Sequence, residues 1–216
     1  AHPHTDCKNE IAVVHNGFIE NYDYLKTRLV REGHIFRSET DTEVLAHLIE
    51  KYFLGNLEMA VMEALKEVEG TYGIAVISTK DPQKIVAARK GSPLVIGIGN
   101  QEYFITSDVS ASLEHTRDVV YLDDNEVAIL TENKYETKTM QNIPTYKKVE
   151  EVLWNIDMIE KGGYQHFMLK EIHEQPQALR NAMRGRVDIS GNSIRLGGLI
   201  GREKILCEAK RIVIVA

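Results

Sequence analysis

The stretch around which this chain is organised is Val13-Val14-His15-Asn16-Gly17. An apolar strand that ends in Asn-Gly can direct two amide donors, the side chain of Asn16 and the N–H of Gly17, at one point. Asn-Gly is also a strong hairpin signal. Because Tyr22, Leu25 and Leu29 follow at helical spacing, the pattern instead predicts a strand, a tight turn and a helix. Anionic intermediates are often held at such turns, so Asn16 and Gly17 are candidates for an oxyanion hole.

Composition excludes several classes of function. The 216 residues, 43% of them hydrophobic, suffice for one large domain or for one domain and part of a second. No apolar run approaches the roughly 20 residues of a membrane-spanning helix. The net charge of -6 and the lack of a Lys/Arg block argue against nucleic-acid binding. Cys7 and Cys207 have no metal-binding spacing, which favours free thiols in a reducing compartment. We expect a cytoplasmic protein with a small-molecule substrate and no cofactor.

The N-terminal segment contains a possible metal-binding cluster. His2, His4, Asp6 and Cys7 are close in sequence, and His-x-His with a thiolate can bind zinc. We favour a polar loop, because no second cluster supplies the remaining ligands and because Pro3 favours a turn. No metal site is therefore expected. Nothing beside Cys7 in the sequence would lower the pKa of its thiol, so the sequence does not identify Cys7 as a nucleophile.

A second helix is predicted after a brief strand over residues 34–36. Thr40 and Glu43 form a capping box, so the helix should begin here. Its apolar face comprises Val44, Leu45, Leu48, Ile49, Tyr52 and Phe53. Asp41 falls in the first turn, where the helix dipole stabilises a carboxylate; this is the structural interpretation. The functional interpretation is that Asp41 pairs with the ammonium group of a substrate. A third helix, starting near Leu57, should end at Gly70.

Beyond residue 70 the hydrophobic period changes. Short apolar runs separated by turn residues cover residues 72–77, 85–88, 94–96, 103–105, 119–122 and 127–130. Such runs predict an antiparallel sheet covered on both faces, and with the preceding helices they indicate an α+β fold. The segments Gly91-Ser92-Pro93 and Thr106-Ser107-Asp108 are either ligand loops or plain turns.

The last third of the chain predicts a domain boundary. Residues 149–159, with the single Trp154, favour a helix, and Gly162-Gly163 is the best hinge candidate. A helix from His166 should end at Pro176 and resume until Gly185. Partial helix over residues 199–209 and a strand over 212–216 follow. We expect one domain over residues 1–155, a linker over 156–165 and the beginning of an α/β domain over 166–216.

Several of these stretches together resemble the class II glutamine amidotransferases. The matching runs are Ala1-His2-Pro3-His4, Val13-Val14-His15-Asn16-Gly17 with Ile19-Glu20-Asn21, Ser38-Glu39-Thr40-Asp41-Thr42-Glu43, Gly91-Ser92-Pro93-Leu94, Thr106-Ser107-Asp108 and Lys170-Glu171-Ile172-His173-Glu174-Gln175-Pro176. The resemblance covers nearly the whole chain. The last run is similar to the branch of the family that makes glucosamine 6-phosphate.

The resemblance implies an N-terminal-nucleophile hydrolase fold, a four-layer α-β-β-α sandwich that is incomplete here, followed by the start of an α/β sugar isomerase domain. It implies that an N-terminal cysteine hydrolyses glutamine and that ammonia passes to fructose 6-phosphate, in a homodimer. Asn16 and Gly17 match the oxyanion-hole residues of the family. Asp41 matches the residue that binds the α-amino group of glutamine, and His2 matches a histidine near that site.

The family pattern also sets an expectation for the activity of this stretch alone. Its catalytic cysteine and an Arg-Trp-x-Thr run are expected before Ala1, and its sugar-phosphate loop after Ala216. We therefore expect these 216 residues by themselves to be inactive. Two alternatives stay open: the glutaminase portion of a phosphoribosyl-type amidotransferase, against which residues 170–176 argue, and a non-catalytic regulator that binds sugar phosphates.

Overall fold

The computed structural model describes residues 2–153 and 162–183, together with 187–188, 193–194, 204, 207–211 and 213. The chain divides into two compact units, Ala1–Trp154 and Asn155–Ala216. The expected linker and domain limits stay predictions, and the two units are considered separately below. No helix in the described segments is both long and apolar enough to cross a bilayer.

The first unit contains two antiparallel sheets. In chain order the strands are β1 His4–Thr5, β2 Ile11–Ile19, β3 Gly70–Ser78, β4 Ile85–Lys90, β5 Val95–Ile98, β6 Tyr103–Thr106, β7 Asp118–Tyr121, β8 Glu126–Leu130, β9 Tyr135–Thr139, β10 Pro144–Thr145 and β11 Glu150–Glu151. The larger sheet has the order β1-β2-β3-β4-β8-β9-β10, and the smaller has the order β11-β7-β5-β6. The predicted apolar runs between residues 72 and 130 all contribute to these strands.

Three helices form one core with the larger sheet: α1 Tyr22–Arg31, α2 Thr42–Tyr52 and α3 Leu57–Leu65. The predicted helical spacing in α1 is confirmed, because Leu25 and Leu29 are both buried. At the start of α3, the side chain of Asn56 accepts the N–H of Met59 at 3.1 Å and caps the helix. The apolar stripes of the helices are thereby removed from water against the sheet.

A second apolar core lies between the two sheets. It comprises Ala87, Leu94, Ile96, Val120, Leu122, Ala128 and Leu130. All five residues of β8 are buried, because this strand packs against the helical core on one face and the second sheet on the other. The α+β class with antiparallel sheets is therefore confirmed.

The predicted tight turn at Asn-Gly is wrong. Strand β2 runs through Asn16 and Gly17 without interruption, and all nine of its residues pair with β3. Glu20 and Asn21 connect it to α1 instead. A ladder of this length supplies more backbone hydrogen bonds and cross-strand packing than a two-residue turn would, so tertiary pairing overrides the local signal.

The predicted capping box is also wrong. The carboxylate of Glu43 accepts the N–H groups of Arg37 at 2.6 Å and Ser38 at 2.7 Å, both in the preceding loop. The N-cap position is occupied by Asp41 and not by Thr40, and its side chain makes no capping bond to the helix. Glu43 therefore serves the loop before α2, because the loop brings unpaired N–H groups to a buried acceptor.

Three other predicted elements differ. Residues 34–36 form a loop, in which an N–H group bonds to a cysteine sulfur and not to a neighbouring strand. Helix α3 ends at Leu65, since Gly70 already begins β3. Residues 150–151 form a strand because they pair with β7, so the predicted helix does not begin at residue 149. The rest of that prediction, including Trp154, lies outside the described residues.

The second unit is described mainly by one helix, α4 Phe167–Met183. The predicted break at Pro176 is wrong, because a proline removes one backbone hydrogen bond and the residues after it are good helix formers. Gly162 and Gly163 have positive φ, 57° and 85°. Two short strands, β12 Val187–Asp188 and β13 Ser193–Ile194, pair antiparallel. Most of the predicted segments over residues 199–216 lie outside the described residues.

Candidate functional site

Strand β2 divides its side chains between two environments. His15 is 7% exposed and points toward the helices, where its Nδ1 lies 3.0 Å from Thr42 Oγ1. Successive strand residues face opposite sides, so Asn16 faces away from the helices, as do the exposed Val14 and Phe18. The Asn16 amide is exposed and makes no hydrogen bond to a described residue. It is therefore available to a ligand.

A cavity of about 230 Å³ adjoins Asn16. Its lining residues are His2, Val14, His15, Asn16, Gly73, Ala75, Leu94, Ile105, Thr106 and Ser107. The cavity thus combines the N-terminal segment with β2, β3 and the end of β6. Two of the predicted site residues, His2 and Asn16, line this cavity together. Thr106 and Ser107, from the predicted loop Thr106-Ser107-Asp108, also line it.

Thr42 links two of the cavity histidines to the N-terminus of α2. Its hydroxyl oxygen lies 3.0 Å from His15 Nδ1 and 3.5 Å from His2 Nε2. Burial lowers the pKa of His15, and the nearby charge of Asp41 opposes this effect only in part. His15 is therefore neutral at pH 7. Thr42 lies in the matching run over residues 38–43, but the sequence assigned it no role, because its contacts arise where α2 meets β2.

Asp41 is not among the residues that line the cavity. Its Oδ2 accepts the N–H of Ile19 at 2.8 Å and so ties the start of α2 to the end of β2. The side chain is half-buried, and within the described part of the chain Oδ1 accepts no hydrogen bond. Asp41 thus has a structural bond that the sequence did not predict, and a free oxygen directly beside Thr42. Its pairing with a substrate ammonium stays a prediction.

Gly17 lies next to Asn16 but outside the cavity lining. Its φ is +146°, and a Cβ built there would lie 2.2 Å from the carbonyl oxygen of Thr71 and 2.9 Å from His15 Nε2. Only glycine allows β2 and β3 to approach this closely. Close packing of β2 against β3 therefore explains why residue 17 is a glycine. The role of the Gly17 N–H in an oxyanion hole stays a prediction.

The two predicted ligand loops have different roles. The buried Thr106 Oγ1 lacks a hydrogen-bond partner among the described residues and belongs to a cavity-lining side chain. Asp108 has a structural role, because its side chain accepts the N–H of Ser110 at 2.8 Å. The other loop packs over Gly73, where a Cβ would lie 3.2 Å from Pro93 O. Thr106 is therefore the loop residue best suited to meet a ligand.

The N-terminal cluster proposed from sequence does not assemble as a unit. Asp6 accepts two backbone N–H groups, those of Glu10 at 2.7 Å and Ile11 at 2.9 Å, and so forms a turn. Cys7 instead lies beside His34 and His47, with its sulfur 3.7 and 3.5 Å from their Nδ1 atoms. Burial raises the pKa of the Cys7 thiol, so this cysteine is not activated as a nucleophile.

Comparison with known proteins agrees with this fold. A family model described as a glutamine amidotransferase domain matches residues 1–114. The chain is 50% identical over its whole length to a glutamine–fructose-6-phosphate aminotransferase of Chlorobaculum tepidum, covering 36% of that protein. It is 55% identical over 85% of its length to that of Methanothermobacter thermautotrophicus, covering 31%.

A solved structure shows the same fold. The glutamine phosphoribosylpyrophosphate amidotransferase of B. subtilis, complexed with ADP and GMP, aligns with a TM-score of 0.54 and 26% identity over 64% of this chain and 31% of that one. The chain spans about a third of the length of the curated relatives that it matches. It is a homologue of glutamine–fructose-6-phosphate aminotransferases, and its matched domain places it plainly in the glutamine amidotransferase family.

Proposed function

We propose that this chain is part of an amidotransferase that hydrolyses glutamine and passes the ammonia to fructose 6-phosphate, forming glucosamine 6-phosphate. The observation that carries the proposal is 50% identity, over the whole chain, to a relative named for glutamine and fructose 6-phosphate. The alignment spans the whole chain and therefore includes residues 170–176, the run that resembles the sugar-phosphate branch of the family.

The cavity beside Asn16 is the proposed glutamine site. In glutamine hydrolysis a nucleophile attacks the side-chain amide, and the amide oxygen becomes negative. The exposed Asn16 amide and the Gly17 N–H are the proposed donors to that oxygen, while His2 and Thr106 contact the rest of the substrate. Cys7 is not proposed as the nucleophile, because it is not among the residues that line this cavity and because burial raises the pKa of its thiol.

A second candidate acceptor is phosphoribosyl pyrophosphate. The structural likeness to the B. subtilis phosphoribosyl enzyme favours it, with a TM-score of 0.54. Sequence identity there is 26%, against 50% to the fructose-6-phosphate enzyme. Since both families share the glutaminase fold, likeness in this domain identifies the ammonia donor better than the acceptor. Fructose 6-phosphate is therefore the proposed acceptor.

Paired assays distinguish these acceptors. The protein that contains this chain is incubated with glutamine and either fructose 6-phosphate or phosphoribosyl pyrophosphate, and glutamate and the aminated sugar are measured. We expect glutamate release coupled to glucosamine 6-phosphate with the first acceptor only. Coupling to phosphoribosyl pyrophosphate would support the alternative. Glutamate release that is coupled to neither acceptor would contradict the proposal. Absence of any glutamine hydrolysis would also contradict it.

In the same enzyme, Asp41→Asn is expected to raise KM for glutamine by about 10- to 100-fold, or roughly 1.5 to 3 kcal/mol. The substitution removes the negative partner of the substrate ammonium. Asparagine keeps an oxygen that can accept the Ile19 N–H, so the structural bond of 2.8 Å is preserved. Steady-state kinetics and the melting temperature are measured together. A lowered melting temperature with unchanged KM would show that Asp41 has only the structural role.

The architecture of the complete enzyme is proposed on the same basis. It would consist of a four-layer α-β-β-α glutaminase domain, a linker over residues 156–165 and a sugar isomerase domain beginning near residue 166, assembled as a homodimer. The exposed Gly162 and Gly163 support a linker there. Limited proteolysis should cut first near this pair, and resistance of the pair would count against it. The free thiols of Cys7 and Cys207 suit a cytoplasmic location.

A further inference from the structure

Four side chains from three segments of the chain lie close together near the first residues of β2. Cys7 follows β1, His34 follows α1, and His47 and Glu50 belong to α2. One potential ligand atom from each lies within 4.8 Å of all the others. The set is a thiol, two imidazoles and a carboxylate, and it lies outside the cavity proposed for glutamine.

Four of the six separations among these atoms can be compared with the edges of a tetrahedron around a metal ion, and three of them lie within about 0.2 Å of the expected values. Zn–S and Zn–N bonds of about 2.3 and 2.0 Å at a tetrahedral angle place sulfur and nitrogen about 3.5 Å apart. Cys7 Sγ lies 3.5 Å from His47 Nδ1 and 3.7 Å from His34 Nδ1. By the same geometry nitrogen and oxygen should be about 3.3 Å apart. Glu50 Oε2 lies 3.4 and 2.9 Å from the two Nδ1 atoms.

Neighbouring polar groups help to orient His47 and Cys7 toward the centre of the cluster. His47 is fully buried, and its Nε2 makes no hydrogen bond of ordinary geometry, yet Glu43 Oε1 lies 3.5 Å from it. The Glu43 carboxylate can accept a proton held on Nε2, and with the proton there the Nδ1 lone pair, which faces Cys7 and Glu50, is free to bind an ion. The Ile35 N–H donates to Cys7 Sγ at 3.4 Å, a contact that stabilises a thiolate.

The backbone fixes the positions of the donors. Helix α1 ends in a Schellman motif, with Gly33 N–H bonded to Val30 O at 3.1 Å and His34 N–H to Leu29 O at 3.0 Å, and Gly33 has a φ of +100°. This motif places His34 directly after the helix. On α2 two of the donors are three residues apart and therefore share one face.

Hydrogen bonding alone accounts for only part of the cluster. The 2.9 Å contact between His34 and Glu50 is an ordinary hydrogen bond. The single S–H of Cys7 can donate to only one of the two imidazole nitrogens that face its sulfur, at 3.5 and 3.7 Å. A cation at the centre of the cluster would be bound by all four potential ligand atoms at once.

We propose that Cys7, His34, His47 and Glu50 form a zinc site. Thiolate and imidazole ligands select zinc over magnesium or calcium, and one thiolate with one carboxylate neutralises the charge of the ion. Four protein ligands leave no open position, so the ion is structural. It joins the β1–β2 connection and the loop before α2, where Ile35 is 69% exposed and contributes little to the core. This proposal differs from the expectation, drawn from the sequence, that the chain has no metal site.

The test uses the 216-residue chain, stripped with a chelator, reloaded with zinc, dialysed and measured for bound metal. We expect one zinc ion per chain and a higher melting temperature with zinc. Cobalt loading should give a sulfur-to-cobalt charge-transfer band with the strong visible bands of tetrahedral Co²⁺. The matched control is Cys207→Ser, since Cys207 is the other free cysteine and is exposed; it should bind like the unmodified chain. Cys7→Ser should bind at least about 100-fold more weakly.

Two further results decide the proposal. Glu43→Gln changes the partner of His47 and also the group that accepts the N–H groups of Arg37 and Ser38. In a folded variant it should weaken zinc binding by about 10- to 100-fold and retain the tetrahedral cobalt spectrum. Failure of the unmodified chain to retain zinc, or a cobalt complex without the sulfur band, would overturn the site even if Cys7→Ser does not fold. Equal zinc retention by folded Cys7→Ser and Cys207→Ser would also overturn it.

Discussion

Asn16→Ala is expected to lower kcat for glutamine hydrolysis by about 10²- to 10³-fold in the enzyme that contains this chain, or roughly 2.7 to 4 kcal/mol. The reason is that a preorganised donor binds the oxygen more strongly once it becomes negative, so KM should change little. Steady-state glutaminase kinetics measure the effect. Synthesis from free ammonia, where the enzyme supports it, should be spared, because that reaction bypasses the glutamine amide.

The structure makes this substitution a clean test. Asn16 is an exposed strand residue, and the described residues with positive φ do not include it. Alanine therefore introduces no backbone strain, and the melting temperature should stay unchanged. Asn16→Asp is the control, since it keeps the shape of the side chain but places a negative charge where negative charge develops. Near-normal hydrolysis by both variants would show that Asn16 is not an oxyanion donor.

Gly17→Ala is expected to destabilise the first unit by about 3 to 5 kcal/mol, which places it among the most severe single substitutions. Two costs combine. The φ of +146° is unfavourable for any residue with a Cβ, and that Cβ would lie 2.2 Å from the carbonyl oxygen of Thr71. Because the obstacle is backbone, β2 and β3 must separate. Urea denaturation of the 216-residue chain, followed by circular dichroism, measures the loss.

Gly55→Ala is the matched control for this substitution. Gly55 also has a positive φ, +93°, but a Cβ there meets no atom within 4 Å. It should therefore show only the conformational cost, about 1 to 2 kcal/mol. The difference between the two variants isolates the close approach of the strands. Equal destabilisation of both would contradict the role assigned to Gly17.

Predictions from local sequence were correct where the hydrophobic pattern of a segment depends only on the geometry of one helix or one strand. The burial of Leu25 and Leu29 in α1 follows from helical spacing alone. The apolar runs after residue 70 predicted the strands and their antiparallel class. In each case the side-chain period is set by the geometry of a single helix or strand, which sequence records directly.

Local signals failed where a distant segment competed for the same groups. The Asn16-Gly17 dipeptide favours a turn, but β3 offers nine paired residues and keeps it in a strand. Glu43 is correctly spaced for a capping box, but the N–H groups of Arg37 and Ser38 occupy its carboxylate. Pairing with β7 likewise made residues 150–151 a strand.

The sequence by itself determined the α+β class, the antiparallel strands, the family resemblance and the candidacy of Asn16, because these depend on local period and on contiguous motifs. Only the tertiary structure decided that His2 and Asn16 share a cavity and that Asp41 bonds to the end of β2. It alone brought Cys7 to partners 27, 40 and 43 residues away. Contacts at such separations are created by how α2 packs on the sheet, and no spacing within one segment encodes them.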